Sequence, residues 1–277
     1  MIQHDIVWIY IVKREIVLQV KTGGLPWKGR YCMNRVIIEK NELGADNSIR
    51  LFGYRAEHII NILHAGQGSE VKIGLLNGPR GRGTVVEIDG KNLLMKCSFE
   101  EGVPKEPPVD LLLAMPRPKV MRRLWSQLSA IGTGKIILVN AEKVERQYFD
   151  NTWLDEEVYR KEMIRGLEQS GETFLPQVLI RKRLKPFLED ELDGICGLHD
   201  RVIADPHAGR TDFRNLKLKE KILLAVGPEG GWTDFETGMF EERGFKPIGL
   251  GSRILRSDTA CIVLTGLFNC LVTANAD

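Results

Sequence analysis

Ile222-Leu223-Leu224-Ala225-Val226-Gly227-Pro228-Glu229-Gly230-Gly231-Trp232-Thr233-Asp234 sets five unbroken apolar residues before a loop of three glycines and a proline. Such a run suits a strand covered on both faces, as in a parallel sheet flanked by helices. Thr233 or Asp234 caps a helix predicted over 234–243. The same order occurs upstream, where Leu111-Leu112-Leu113-Ala114-Met115 ends a strand over 109–115 and a helix is predicted over 118–131. Further strands are read at 135–139, 177–180, 201–204 and 221–226, with helices at 155–170, near 184–190, and at 258–274. This part of the chain is α/β. In such sheets ligands sit beyond the carboxyl ends of the strands, so the loops after Met115, Ala204 and Val226 are the places for chemistry.

The glycines of the quoted loop let backbone approach a ligand closely and leave N–H groups bare. A second loop of this kind is Ile248-Gly249-Leu250-Gly251-Ser252-Arg253-Ile254-Leu255-Arg256-Ser257-Asp258-Thr259-Ala260. Ser257 or Asp258 caps the helix that follows, whose N-terminus favours an anionic group nearby. Arg256 could hold a carboxylate, a phosphate or a developing oxyanion. Either loop alone reads equally well as a turn and a helix cap; two in one domain point to a ligand site. A third feature is the basic helix start Pro116-Arg117-Pro118-Lys119-Val120-Met121-Arg122-Arg123, within a segment, 115–146, that has seven basic and two acidic residues. That local +5 suits phosphate contacts on nucleic acid.

The N-terminal part reads differently. Short β-branched runs at 35–39, 71–76, 84–88 and 92–97 are separated by Gly, Asn and Pro turns, and one helix is predicted over 55–65. This is the pattern of a small β-barrel or sandwich, with 77–83 as an exposed hairpin tip. The proline-rich, aperiodic stretch 100–108 marks a boundary, placed at residue 104. Residues 1–33 form an extension of no assigned role, either one or two extra strands or an arm.

The chain has 277 residues, which on a prior of roughly 150 per domain means about two domains. Its net charge of +2 announces no nucleic-acid binder, but it averages +3 before Pro104 and −1 after it. Cys32, Cys97, Cys196, Cys261 and Cys270 are odd in number, scattered and without a CxxC pair, which reads as reduced thiols in a cytoplasmic protein. The apolar runs 6–12 and 262–272 fall short of the roughly 20 residues that span a bilayer, so no membrane segment is expected. No G-x-G-x-x-G, HExxH or G-x-S-x-G motif occurs, and His4, His58, His64, His199 and His207 show no metal-ligand spacing, so no metal is expected.

The two glycine loops together closely resemble the paired C-terminal signatures of the RsmE family, small-subunit ribosomal RNA (uracil-N3)-methyltransferases of the SPOUT superfamily. Three further matches fall in the same order: Arg35-Val36-Ile37-Ile38, residues 58–71, and Gly166-Leu167-Glu168-Gln169-Ser170-Gly171 ahead of Leu175-Pro176. The resemblance covers about residues 34–277. It implies a PUA-like RNA-binding β-barrel at 34–104 and a SPOUT methyltransferase domain at 105–277, with a parallel sheet and a trefoil knot. It also implies a homodimer, S-adenosylmethionine as methyl donor, and a role in ribosomal RNA processing on the small subunit.

On this resemblance Gly227, Gly230, Gly231 and Gly251 wrap the donor, Leu250, Ile254 and Leu255 wall its adenine, and Thr259 and Ala260 begin the helix beneath. Methylating uracil N3 removes an imide proton and spreads negative charge onto O2 and O4. Arg256, with Arg253 or Arg117, is expected to stabilise that charge, and Glu229 or Asp258 to act as general base. Arg35, Arg80, Arg82, Arg117, Lys119, Arg122 and Arg123 are the expected RNA contacts. The chain departs from the family in carrying Glu172 where an arginine is common, Asp258 for Glu, and Ala130-Ile131-Gly132 for Glu-Leu-Gly. Two other readings remain open: an idle RNA-binding or ribosome-assembly factor of the same fold, and a methyltransferase of another RNA position.

Overall fold

The computed structural model describes residues 6–12, 15–21, 34–213, 216 and 218–276. It falls into two compact units, Met1–Cys32 and Met33–Asp277. The first contains an antiparallel hairpin of β1 (Ile6–Val12) and β2 (Glu15–Lys21), within what was read as an extension.

The second unit holds two sheets. The smaller is five-stranded and mixed, made of β3 (Val36–Ile38), β4 (Ser48–Leu51), β5 (Glu70–Leu75), β6 (Arg80–Asp89) and β7 (Asn92–Phe99) in the order β3-β5-β6-β7-β4. Alternation along β6 and β7 turns Val85, Leu93, Met95 and Cys97 inward. Helix α1 (Gly53–Asn61) closes that core with Ala56 and Ile59. Two expectations change here. Strand β4 was not anticipated, and β6 starts at Arg80, so Arg80 and Arg82 lie on a strand and not on a loop tip.

The larger sheet has six strands, all parallel: β8 (Val109–Ala114), β9 (Lys135–Val139), β10 (Gln177–Arg181), β11 (Asp200–Ala204), β12 (Ile222–Val226) and β13 (Lys246–Ile248). Their order is β10-β9-β8-β12-β11-β13. All residues of β8 and β12 are buried, as unbroken apolar strands between helices should be. One face carries α2 (Pro118–Ile131), α3 (Glu156–Ser170) and α7 (Ser257–Ala276). The other carries the helical run of α4 (Leu184–Pro186), Phe187–Glu191 and α5 (Leu192–Cys196), then α6 (Asp234–Glu242). This run extends six residues beyond the predicted helix end, and β13 is a further addition.

Helices α2 and α3 approach closely because Gly166 faces the Ser126 carbonyl, where an added Cβ would sit 2.2 Å from oxygen. Helix α7 is long and apolar enough to cross a membrane, which the sequence reading did not expect of it. It buries Cys261, Leu264, Thr265 and Phe268 in the core, and leaves Val263 exposed on another side.

At the amino ends of the parallel strands, buried Asp110 accepts hydrogen bonds from the Lys135 amide (2.8 Å) and Lys135 Nζ (3.0 Å), and its Oδ2 lies 2.9 Å from His199 Nε2. Burial alone would raise this carboxyl, but the bonds from His199 and Lys135 outweigh it and hold it below its usual range. The Cys196 thiol joins the cluster, so the fold assembles three ligand-capable side chains from residues with no ligand spacing in sequence.

The two sheets are joined through α3 and the segment after it. Arg35 donates to the carbonyls of Gly171 (Nε, 2.9 Å) and Ile73 (Nη1, 2.7 Å), Thr173 Oγ1 to that of Gly78 (2.7 Å), and the Asn77 amide to that of Thr173 (2.8 Å). Glu172, the charge-reversed family position, forms an ion pair with Arg80. Glu168 is wholly buried in this joint, with Tyr54 Oη 3.4 Å from both carboxyl oxygens. Burial pushes its pKa from an ordinary 4.5 up to about 7.

A raised carboxyl favours the protonated folded form. Its contribution is complete below the unfolded value and is lost as pH climbs through the folded one. Glu168→Gln is therefore expected to exceed the parent in stability at pH 8 by roughly 2–3 kcal/mol, with the two converging below about pH 4.5. Urea unfolding across that pH range measures this; parallel pH profiles would show that Glu168 does not titrate in the joint.

Candidate active site

The carboxyl end of β12 runs into the tight turn 228–231, closed by the Gly231 amide donating to the Pro228 carbonyl (2.8 Å) with Gly231 at φ +69°. Gly227 is packed under Trp232, and an added Cβ would lie 3.0 Å from the indole nitrogen. That nitrogen is buried with no acceptor among the described residues. Of the two caps the sequence leaves open, Thr233 is the one that caps α6, in a reciprocal box with Glu236. Buried Glu236 does more than cap: its Oε1 accepts the Glu142 amide at 2.8 Å, while Lys143 Nζ donates to the Gly230 carbonyl at 2.8 Å. The turn is thus fastened to the loop after β9.

The second loop, 249–256, is held from two sides. Ser257 Oγ donates to the Gly227 carbonyl (2.9 Å), linking the two glycine loops directly. The loop after β11 grips the other side: the Thr211 amide donates to the Gly249 carbonyl (2.9 Å), the Gly249 amide to Thr211 Oγ1 (3.0 Å), and Arg210 bridges Leu250. Gly249 is the tightest point, since a Cβ there would lie 1.9 Å from the Gly209 carbonyl oxygen. Gly251 takes φ +108°, a conformation other residues rarely adopt. Loops from β11, β12 and β13 therefore converge at one end of the sheet, where the sequence reading placed the chemistry.

Among the apolar residues expected to line the site, Leu255 is half-buried, Leu250 is on the margin of exposure, and Ile254 is 77% exposed. Thr259 and Ala260 lie in the first turn of α7. The Arg256 side chain is 70% exposed, its Nε 3.6 Å from Asp258 Oδ1. Asp258 also faces Arg123 Nη2 at 3.4 Å and accepts the Thr259 amide at 2.9 Å, so it positions two arginines at the helix start. Glu229 is exposed and has no hydrogen-bond or ion-pair partner among the described residues.

The residues expected to contact RNA separate into groups. Arg117, Lys119, Arg122 and Arg123 are exposed at the start of α2, with Arg122 over the Trp153 ring at 4.7 Å and Arg123 reaching Asp258. Through Arg123 the group reaches the start of α7, next to the second glycine loop. Arg82 is on the five-stranded sheet, paired with Glu70 at 2.7 Å. Arg35 and Arg80 belong to the joint between the sheets. The ties made by Lys143, Glu236 and Thr211 carried no signal in the sequence, because each acts on a residue more than thirty positions away.

Residues 104–269 match the family described as RNA methyltransferase domain. The chain is 32% identical over 235 residues to ribosomal RNA small subunit methyltransferase E of Treponema pallidum, covering 82% of this chain and 87% of that one. The chain belongs to the ribosomal RNA small subunit methyltransferase E family. A second member, from Borreliella burgdorferi, is 28% identical over 234 residues, with 83% of this chain and 94% of the relative covered. The fold agrees with a solved member of the family, that of Neisseria gonorrhoeae bound to S-adenosyl methionine: TM-score 0.69, 20% identity, 87% of this chain and 98% of that one.

Proposed function

We propose that this protein transfers a methyl group from S-adenosylmethionine to N3 of an unpaired uridine in small-subunit ribosomal RNA. The observation that carries the reading is the pair of cross-linked glycine loops, 227–231 and 249–256, at the carboxyl edge of the sheet with the basic start of α2 beside them. The Gly209 backbone leaves no space for a side chain at Gly249 and the Trp232 ring crowds Gly227, while Leu250, Ile254 and Leu255 offer apolar surface: a cradle suited to a nucleoside with an amino-acid tail.

When bound, S-adenosylmethionine supplies an electrophilic methyl group. The chain does the rest. The loops hold the donor and keep water from it, and Glu229, which has no hydrogen-bond or ion-pair partner among the described residues, takes the imide proton. Arg256, steadied by Asp258, meets the negative charge that the uracil oxygens acquire. N3 is concealed in a base pair, so the uridine must be splayed out, with the arginines and Lys119 of α2 holding flanking phosphates.

Three structural details accompany this reading. The entry of β12 between β8 and β11 supports a knotted C-terminal domain. The five-stranded sheet with α1 supports a PUA-like RNA-binding barrel. The apolar exposure of Val263 on α7 supports a second copy packed along that helix.

Calorimetry with S-adenosylmethionine, together with nucleoside mass spectrometry of ribosomal RNA from cells with and without the protein, tests the function. Donor binding and a loss of N3-methyluridine in its absence are expected. No donor binding would instead mark an idle RNA-binding factor, and an unchanged N3-methyluridine level would remove the proposed target.

A further inference from the structure

The carboxyl edge of the parallel sheet continues past the glycine loops to β9 and β10, where the loops after Val139 and Arg181 enclose a groove of about 490 Å³. Its rim carries Arg146, Lys182, Arg183 and Lys185 against one acid, Glu142. In sequence this charge is masked, because Glu189-Asp190-Glu191 follows closely. The fold sorts it: Arg181 pairs with Glu191 at 2.6 Å and Lys185 stands 3.8 Å from Glu189. Arg146, Lys182 and Arg183 are left exposed, with no acidic partner among the described residues.

The lining also includes Asn140, whose Oδ1 is buried and receives no hydrogen bond from the described residues. That combination calls for an anion that also carries a hydrogen-bond donor, and the groove shares its sheet edge with the basic start of α2, so the anion it suits is the one that crosses the glycine loops. A nucleotide brings phosphates for the rim and a base N–H for the lining. Two neighbours of the groove touch the glycine turn, Lys143 through the Gly230 carbonyl and the Glu142 amide through Glu236 of the α6 cap, while Arg146, Lys182 and Arg183 make no such tie among the described residues. Strand β10 lies three strand spacings from β12, roughly 15 Å from the glycine turn.

We propose that this groove binds the backbone phosphates of the RNA strand to one side of the target uridine, so that the RNA track extends from α2 across the edge to β10. The inference rests on the proposed RNA methyltransferase function. Three cations held by phosphate release counterions, which makes the salt dependence of binding the direct readout.

The test uses the full chain and a single-stranded, uridine-containing RNA oligonucleotide, followed by fluorescence anisotropy over a series of salt concentrations. Arg146→Gln/Lys182→Gln/Arg183→Gln is expected to flatten the plot of log affinity against log salt by about 2, and to weaken binding roughly 10- to 100-fold at low salt. S-Adenosylmethionine affinity, measured by calorimetry on the same sample, stays unchanged and reports an intact fold. A second variant, Lys219→Gln/Lys246→Gln, removes charge at the opposite edge of the sheet and is expected to leave the slope nearly intact. An unaltered slope in the triple variant overturns the proposal, as does an equal loss per charge in the remote variant. A wild-type protein that binds the donor but not the RNA overturns it while leaving the donor site standing; binding neither overturns the proposed function as well.

Discussion

Gly249→Ala is expected to lower S-adenosylmethionine affinity at least 100-fold and to cost about 2–4 kcal/mol of stability, the largest effect of any single methyl group added to the candidate site. The new Cβ would lie 1.9 Å from the Gly209 carbonyl oxygen and 3.2 Å from that of Asp205. Both obstacles are backbone, so no rotamer change relieves them. The loops must part, which breaks the Thr211 amide bond to the Gly249 carbonyl and the Gly249 amide bond to Thr211 Oγ1. Every residue from Leu250 to Arg256 then loses its anchor, and a displacement of about 1 Å is enough to ruin an aligned site. Gly231→Ala is the informative contrast: its φ of +69° imposes strain, but nothing lies within 4 Å of an added Cβ. That variant should lose only about 1 kcal/mol and bind the donor within several-fold of the parent. Calorimetry and urea unfolding measure both. A Gly249→Ala protein that binds the donor normally would show that the clamp from 205–211 does not shape the donor site.

What could be read from the sequence was whatever is local in the chain. The runs 111–115 and 222–226 announce doubly covered strands because burial on both faces removes alternation. Thr233 announces a helix start because a cap needs only the three residues that follow. Strand β13 escaped because Lys246-Pro247-Ile248 carries little strand signal and is fixed by pairing with β11, more than forty residues earlier. The same limit governs the site. The glycines are legible as a ligand loop, yet the Gly209 carbonyl against Gly249, the Lys143 side chain against Gly230 and the Ser257 bond to the Gly227 carbonyl are brought near only by the fold.

At Arg35 and Arg80 residue type alone suggests phosphate contacts, and the fold adds partners the sequence does not show: Arg35 donates to the Gly171 and Ile73 carbonyls and Arg80 pairs with Glu172. Glu172, a charge reversal in sequence, becomes intelligible once Arg80 faces it.

Arg256→Ala is expected to slow methyl transfer by about 10²–10³-fold while S-adenosylmethionine affinity stays within a few-fold of the parent, as for loss of one donor to a developing oxyanion. The side chain is mostly exposed and is held only loosely, 3.6 Å from Asp258, so truncation removes no packing and the loop backbone keeps its ties through Ser257 and Thr211. Asp258→Asn should cost less, about 10-fold, because it frees Arg256 and Arg123 from their common carboxylate without removing either guanidinium. Arg256→Lys separates charge from geometry: an ammonium restores the sign but not the planar pair of donors, and partial recovery is expected. Single-turnover methylation with saturating donor isolates the chemical step from binding. A full rate in Arg256→Ala would remove this residue from the chemistry. A parallel collapse of rate and donor affinity would reassign it to the carboxylate end of the donor, leaving Arg117 and Arg123 of α2 as the cations that face the uracil oxygens.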